Sequence, residues 1–358
     1  MILLAPMKDT PDILFNEHAA KQGKLAVITL NRPQALNALS DSMITSLYEQ
    51  LQLWANDSQI NAVVIRGAGD KAFCAGGDLK MVFNNGQQNY EKLIPSFRTE
   101  YKLNILINEY PKPYISLLNG IAMGGGLGIS LHGTRVIASE TLQLAMPETS
   151  IGFFPDVGAS KFLTKCPYNL GLYLGLSGNT IDIKDALFCK LISAYVPSNE
   201  LENLFTELLG LDLQYGTLSK IDVVISKYKQ DPGIGSLKEH SAVIEECFGK
   251  DSIEDIITAL ETKDSTWSVA QAAIINKRSP TSLKVTLEQL HRATNMTLGE
   301  CMQMEFNLAL QLFQQHDIYE GIRAAIIDKT LNPQWNPATL AKVSDQSIQA
   351  MFEEKCKL

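Results

Sequence analysis

The sequence predicts an α/β fold, and three features carry that prediction. Short apolar strand-like runs lead into glycine turns and then into helical spacing, a succession that recurs at uneven intervals through the first part of the chain. Beyond residue 200 the apolar residues fall mostly at helical spacing. With 358 residues and 45% hydrophobic content, the chain can bury a full core in one large domain or two.

The first strand is read over residues 24–30 and ends at Asn31-Arg32-Pro33. Residues 40–54 then show the spacing of an amphipathic helix, with Met43, Ile44, Leu47, Leu51 and Trp54 on one face and Ser40 or Asp41 as its cap. Further buried strands are expected at 62–67, 114–118 and 135–138, because each is a short, nearly continuous apolar run. Between the last two, residues 125–132 read as an apolar helix whose glycines permit close packing. Helices are expected at 201–209, 253–260, 269–275, 283–290 and 298–313, and Ser279-Pro280 is a strong start signal: a capping serine followed by proline at the first helical position. Turn-forming residues interrupt the helical half at 231–235 and 332–337. A soft boundary at 205–235 divides a catalytic core, residues 1–205, from a mostly helical region, 206–358, that completes the fold.

Composition excludes several classes. A net charge of −8 with no long basic run disfavours nucleic acid. No apolar run reaches the roughly 18 residues of a membrane-spanning helix, so no membrane is expected. The start, Met1 to Pro6, lacks a basic flank, and Asp9, Asp12 and Glu17 argue against a transit peptide; the expected location is cytoplasmic. The six cysteines, at 74, 166, 189, 247, 301 and 356, are scattered without a C-x-x-C pair, so reduced thiols are expected rather than a metal site or a disulfide framework. The five histidines are isolated, and Cys74 has none beside it in sequence, which favours a buried thiol over a nucleophile.

The chemistry concentrates in three segments. Met146-Pro147-Glu148-Thr149-Ser150-Ile151-Gly152-Phe153-Phe154-Pro155-Asp156-Val157-Gly158 sets two carboxylates in an apolar, turn-rich loop. Phe73-Cys74-Ala75-Gly76-Gly77-Asp78-Leu79 and Gly120-Ile121-Ala122-Met123-Gly124-Gly125-Gly126-Leu127-Gly128 are glycine clusters that each follow a strand-like run. Neither matches a phosphate-binding glycine pattern. A pair of such loops can converge two backbone N–H donors on a carbonyl oxygen, and glycine lets a substrate approach the backbone. Carboxylates nearby can move a proton, activate water or attack, so the three segments together describe acyl chemistry.

Through Asn31-Arg32-Pro33-Gln34-Ala35-Leu36-Asn37-Ala38-Leu39 and the two glycine loops, the chain resembles the crotonase (enoyl-CoA hydratase/isomerase) superfamily. That resemblance implies a spiral of ββα turns with a helical C-terminal region, an oxyanion hole made by the N–H groups of Gly77 and Gly125, and coenzyme A lying near Ala35 and along Ala75, Gly76 and Asp78. Hydratases of the superfamily carry one glutamate two residues after the triple glycine and another in the later Pro-Glu motif. Here the first position is Gly128 and the second is Glu148. Asp156, where hydratases usually have glycine, and Glu100 in Phe97-Arg98-Thr99-Glu100-Tyr101 make the chain resemble the 3-hydroxyisobutyryl-CoA hydrolases within the superfamily, as do segments 275–284 and 316–323. Ala159-Ser160-Lys161 departs from the small glycines usual there, which bears on the acyl pocket.

The resemblance implies hydrolysis of a 3-hydroxyacyl-CoA thioester, with valine catabolism as its pathway. Glu148 acts as general base or as nucleophile, and Asp156 and Glu100 orient the substrate hydroxyl. For Glu100 a solvated ion pair with Arg98 or Lys102 is the competing reading. The substrate is a small-molecule acyl-CoA, coenzyme A is part of it, and neither a metal nor an organic cofactor is called for. A homo-oligomer is left open. Two rival functions stand beside hydrolysis: a hydratase, isomerase or other lyase of the same superfamily, and a non-enzymatic acyl-CoA-binding module.

Overall fold

A computed structural model describes residues 11–213 and 216–358. The apolar start, Met1 to Pro6, and Asp9 lie outside the described residues. Six strands form the main sheet: β1 (Ile13–Ala19), β2 (Lys24–Leu30), β3 (Ile60–Gly67), β5 (Tyr114–Leu118), β7 (Arg135–Ala138) and β9 (Ala194–Tyr195), in the spatial order β1-β2-β3-β5-β7-β9. Only β1 is antiparallel to its neighbour. A smaller parallel sheet stacks β4 (Ala72–Cys74), β6 (Ile121–Met123) and β8 (Gln143–Ala145). Parallel strands are covered on both faces, which is why β3 and β5 read as nearly continuous apolar runs. Strand β1 was not visible in that way, since Asn16, Glu17 and His18 leave this edge strand partly in solvent.

Period-two alternation divides the core between the two faces of the main sheet. Ala26, Ile28, Leu30, Val63 and Ile65 pack with Met43, Leu47, Tyr101 and Leu103, from helices α1 (Asp41–Asn56) and α3 (Ile94–Asn108), between which α2 (Leu79–Gln88) follows β4. Leu25, Val27, Ala62 and Val64 face the other way, onto Leu204, Leu208, Ile221 and Val224 of the helices Leu201–Leu209 and Thr217–Tyr228. At the start of α1 the Ser40 side chain accepts the Met43 N–H at 3.3 Å. Ser279 caps the helix Pro280–Ala293 in the same way, accepting the Ser282 N–H at 3.2 Å.

The helix expected over 125–132 is corrected to a single turn, α4, Gly125–Gly128. Glycine is a poor helix former, and the buried Ser130 hydroxyl bonds back to the Gly126 carbonyl at 2.8 Å, drawing the backbone out of the helical ladder. Helices Pro280–Ala293, Leu298–Leu312 and His316–Ile322 fold back over the loops at the ends of the small sheet. They are part of what shapes the site.

Candidate active site

The segment from Asn31 to Leu39 is a clasp. The buried Asn37 amide donates to the carbonyls of Ala68 at 3.0 Å and Ala72 at 2.9 Å and accepts the Arg32 N–H at 2.9 Å, which closes the turn onto the strand that leads to β4. Leu39 then pairs with the first glycine loop: its N–H donates to Gly76 at 2.8 Å, and its carbonyl accepts the Asp78 N–H at 2.9 Å. Gly76 has φ +103°, a conformation that a side chain would strain. The second glycine loop lies directly beside it. A Cβ on Gly126 would fall 2.5 Å from the Cys74 carbonyl, and one on Gly125 would fall 3.4 Å from the Gly77 nitrogen and 2.7 Å from Glu100 Oε1. Among the described residues, neither the Gly77 nor the Gly125 N–H donates a hydrogen bond. Two unpartnered backbone donors thus lie side by side next to a carboxyl group.

Three carboxyl groups line the cavity at that point, which has a volume of about 100 Å³. Glu148 opens the 3₁₀ turn Glu148–Ile151; it is buried, its Oε1 lies 2.9 Å from where a Gly124 Cβ would be, and its Oε2 has no hydrogen-bond partner. Asp156 accepts the Tyr101 hydroxyl at 2.7 Å. Glu100 projects from α3. Leu79, Val82, Phe97, Phe153 and Ile318 supply apolar walls. Burial dominates the electrostatics: it pushes Asp156 up to about 7 against the pull of Tyr101, and burial together with the Asp156 charge pushes Glu100 up to about 8. Glu148 is held well above the ordinary carboxyl range, first by burial and then by Asp156. Carboxyl groups this close titrate as one coupled set, and the donor from Tyr101 favours Asp156 as the first to ionise.

The structure brings Gly77, Gly125, Glu148, Asp156, Glu100, Ala75 and Gly76 together around this cavity. It does not place Ala35 or Asp78 on its lining. Ala35 ends the 3₁₀ turn Pro33–Ala35, and the Asp78 carboxylate bonds Arg32 at 3.0 Å while capping the Met81 N–H. The ion pair weighed for Glu100 is absent among the described contacts: Arg98 instead lies over the Phe306 ring and donates to the Lys357 carbonyl. Lys161 also leaves the cavity, donating to the Met296 carbonyl. Cys74 is fully buried, its thiol pushed up to about 12, and its sulfur accepts the Gly76 N–H at 3.5 Å. At Gly128 a Cβ would meet Val157 Cβ at 2.6 Å and Asn104 Nδ2 at 2.9 Å, so the volume where a hydratase carries its first glutamate is occupied.

Sequence reasoning missed Tyr101, Glu305 and Ile318. Glu305 had a usable signal: an acidic residue on the apolar face of the helix Leu298–Leu312, flanked by Cys301, Met302, Phe306 and Leu308. It is fully buried, and burial pushes it up to about 8 against its bonds to Ser160 and Gly158. Among the described residues no group of three or more His, Cys, Asp or Glu is arranged to hold a metal ion, and no helix is long and apolar enough to cross a membrane.

Two neighbouring unpartnered backbone donors and a coupled set of buried carboxyl groups, on an α/β scaffold completed by helices, form a site suited to acyl-group chemistry. The enoyl-CoA hydratase/isomerase family model matches residues 25–352, and the chain belongs to that family, the crotonase superfamily. It is 41% identical over 337 residues to the mitochondrial 3-hydroxyisobutyryl-CoA hydrolase of Danio rerio, with 93% of this chain and 88% of the relative covered. To the human protein of the same name it is 40% identical over 339 residues, with 93% and 87% covered. A solved carnitinyl-CoA dehydratase from Mycobacterium thermoresistibile superposes with a TM-score of 0.89 at 34% identity, covering 96% of this chain and 97% of that one. An enoyl-CoA hydratase from Rhodobacter sphaeroides gives 0.86 at 30% identity, with the same coverage. The fold expected from the resemblance is therefore the observed one. The cytoplasmic expectation is overturned, since these hydrolase relatives are named as mitochondrial proteins.

Proposed function

We infer that the chain hydrolyses 3-hydroxyisobutyryl-CoA to 3-hydroxyisobutyrate and coenzyme A. The names of its relatives point to that reaction, and one observation carries the chemistry: the unpartnered Glu148 Oε2 lines the same cavity as two free glycine N–H groups, while the volume of the first hydratase glutamate, at Gly128, is closed. Gly77 and Gly125 polarise the thioester carbonyl and receive the tetrahedral oxyanion, a contribution of about 3 to 4 kcal/mol per donor in comparable sites. In one route Glu148 takes a proton from water as the oxygen attacks the carbonyl carbon. The tetrahedral intermediate then expels the coenzyme A thiolate, which takes up the proton Glu148 received. In the other, Glu148 attacks the carbonyl carbon itself, the thiolate leaves, and water opens the resulting anhydride. Single turnover in ¹⁸O water separates them, because the anhydride route can leave label in Glu148.

Asp156 and Glu100 face the acyl group with hydrogen-bonding capacity where other walls are apolar. A substrate hydroxyl satisfies them, and its absence leaves buried polar groups unpaired. Isobutyryl-CoA is therefore expected to be hydrolysed on the order of 100-fold more slowly than 3-hydroxyisobutyryl-CoA. Coenzyme A is taken to run along the loops near Ala35 and Ala75 to Asp78, and valine breakdown supplies such a substrate. Free thiol release across a panel of acyl-CoAs tests the reading. Release that favours the hydroxyacyl substrate supports it, and hydration of crotonyl-CoA without thiol release would sink it in favour of a hydratase.

A further inference from the structure

Asp156 is followed by a strained turn. Val157 has φ +52° and Gly158 has φ +84°, and a β-branched residue in the left-handed region is held there only by its surroundings. Those surroundings are the buried side chains of Glu305 and Gln289 and the half-buried ring of His132, none of which lines the cavity. The Glu305 carboxylate accepts the Gly158 N–H at 2.7 Å and the Ser160 N–H at 3.0 Å. The Gln289 amide donates to the Pro155 carbonyl at 2.7 Å and to Ser160 Oγ at 2.8 Å. His132 Nε2 lies 2.8 Å from the Val157 carbonyl, and burial lowers this histidine to about 4, so the neutral ring donates its proton there. Asp156 is thus bracketed by backbone fixed from residues far along the chain, while Tyr101 holds its carboxylate directly.

We propose that Glu305 is a positioning residue of the active site: its two hydrogen bonds to the backbone after Asp156 hold the Val157-Gly158 turn in its strained form and so aim Asp156 at the substrate hydroxyl. The proposal rests on the hydrolase reading for its kinetic consequence. Its structural consequence stands without it. Both carboxyl oxygens accept from backbone donors, so Glu305→Gln sets an amide N–H against an N–H and loses one bond, while Glu305→Asp keeps the carboxyl group but is too short to reach both donors.

The test compares the unmodified enzyme, Glu305→Gln, Glu305→Asp and Asp156→Ala on 3-hydroxyisobutyryl-CoA and isobutyryl-CoA. Glu305→Gln is expected to lower kcat on the hydroxy substrate at least 10-fold with little change in KM, and to shrink the preference for the hydroxyl towards that of Asp156→Ala. Combining it with Asp156→Ala should add little further loss on the hydroxy substrate. Glu305→Asp should fall between the unmodified enzyme and Glu305→Gln, which keeps the idea testable if the amide variant does not fold. A lower melting temperature with unchanged hydroxyl preference would show a purely structural role and overturn the proposal. Absence of thiol release from the unmodified protein would instead refute the hydrolase reading. Positioning is then decided by a crystal structure of the variant: the proposal expects Val157 to leave the left-handed region and the Tyr101–Asp156 bond to break, and an unmoved Asp156 would overturn it.

Discussion

At the scale of single residues, the site gains reactivity at the expense of stability. For a carboxyl group raised in the folded state, the stabilising contribution is complete below its unfolded value and is lost as pH rises through the folded one. For Asp156 that window runs from 3.8 to about 7, and for Glu100 from 4.5 to about 8. Glu148 is shifted in the same direction. Glu148→Gln, which removes the need to bury that charge, is therefore expected to abolish thiol release while raising unfolding stability at pH 8 by about 0.5 to 2 kcal/mol. Urea melts alongside the thiol assay check both halves, and a destabilised variant would contradict the assignment of Glu148 as a desolvated acid. The Asp156 charge also makes Glu148 harder to ionise. Since Glu148 must be ionised to act by either route, kcat/KM should climb with pH above the ordinary carboxyl range, and Asp156→Asn should move that rise to lower pH even as it lowers the plateau.

At the scale of elements, close approach of backbone to backbone decides what each position tolerates. A Cβ on Gly321 would lie 2.3 Å from the Ile151 carbonyl carbon, because the helix His316–Ile322 presses on the 3₁₀ turn Glu148–Ile151. Gly321→Ala should push the two apart, costing about 1 to 3 kcal/mol and lowering kcat, since the turn carries Glu148. Circular dichroism melts and thiol release read the two effects. Gly128 is constrained in the same manner by Val157 and Asn104. Gly128→Glu is expected to destabilise the protein without creating crotonyl-CoA hydratase activity, and loss of the enoyl absorbance on crotonyl-CoA at a hydratase-like rate would contradict that steric account.

At the scale of the whole molecule, the helical C-terminal region closes the site. Ile318 forms part of the cavity wall, Glu305 and Gln289 hold the loop after Asp156, and the Ser279 N–H donates to the Thr149 carbonyl at 3.2 Å. The buried Asp317 carboxylate fastens this region to itself, accepting the Ser279 hydroxyl at 2.6 Å and the Asn336 N–H at 2.7 Å. Asp317→Ala leaves those donors unpaired and is expected to cost about 1 to 3 kcal/mol, with a fall in activity that a denaturation curve and a thiol assay would register together.

Local chemistry by itself determined the elements whose signals are short-range. The β2, β5 and β7 runs, the Ser40 and Ser279 caps and the glycine loops each follow from residues adjacent in sequence, and Glu148 and Asp156 stood out as charges in an apolar loop. Tertiary structure alone decided the rest. Glu100 could be told from a solvated ion pair only once α3 was set against the second glycine loop, and Tyr101, adjacent to it, became the partner of Asp156 only by that same packing. Asp78 and Ala35 share segments with site residues, yet the hydrogen bonds of the clasp turn Asp78 towards Arg32 and leave Ala35 in its turn. Residues close along the chain announce their backbone geometry, because dihedral preferences and capping bonds are local. A shared ionisation and a shared cavity arise between residues far apart in sequence, through burial and distances that exist only after the helices have closed over the sheet.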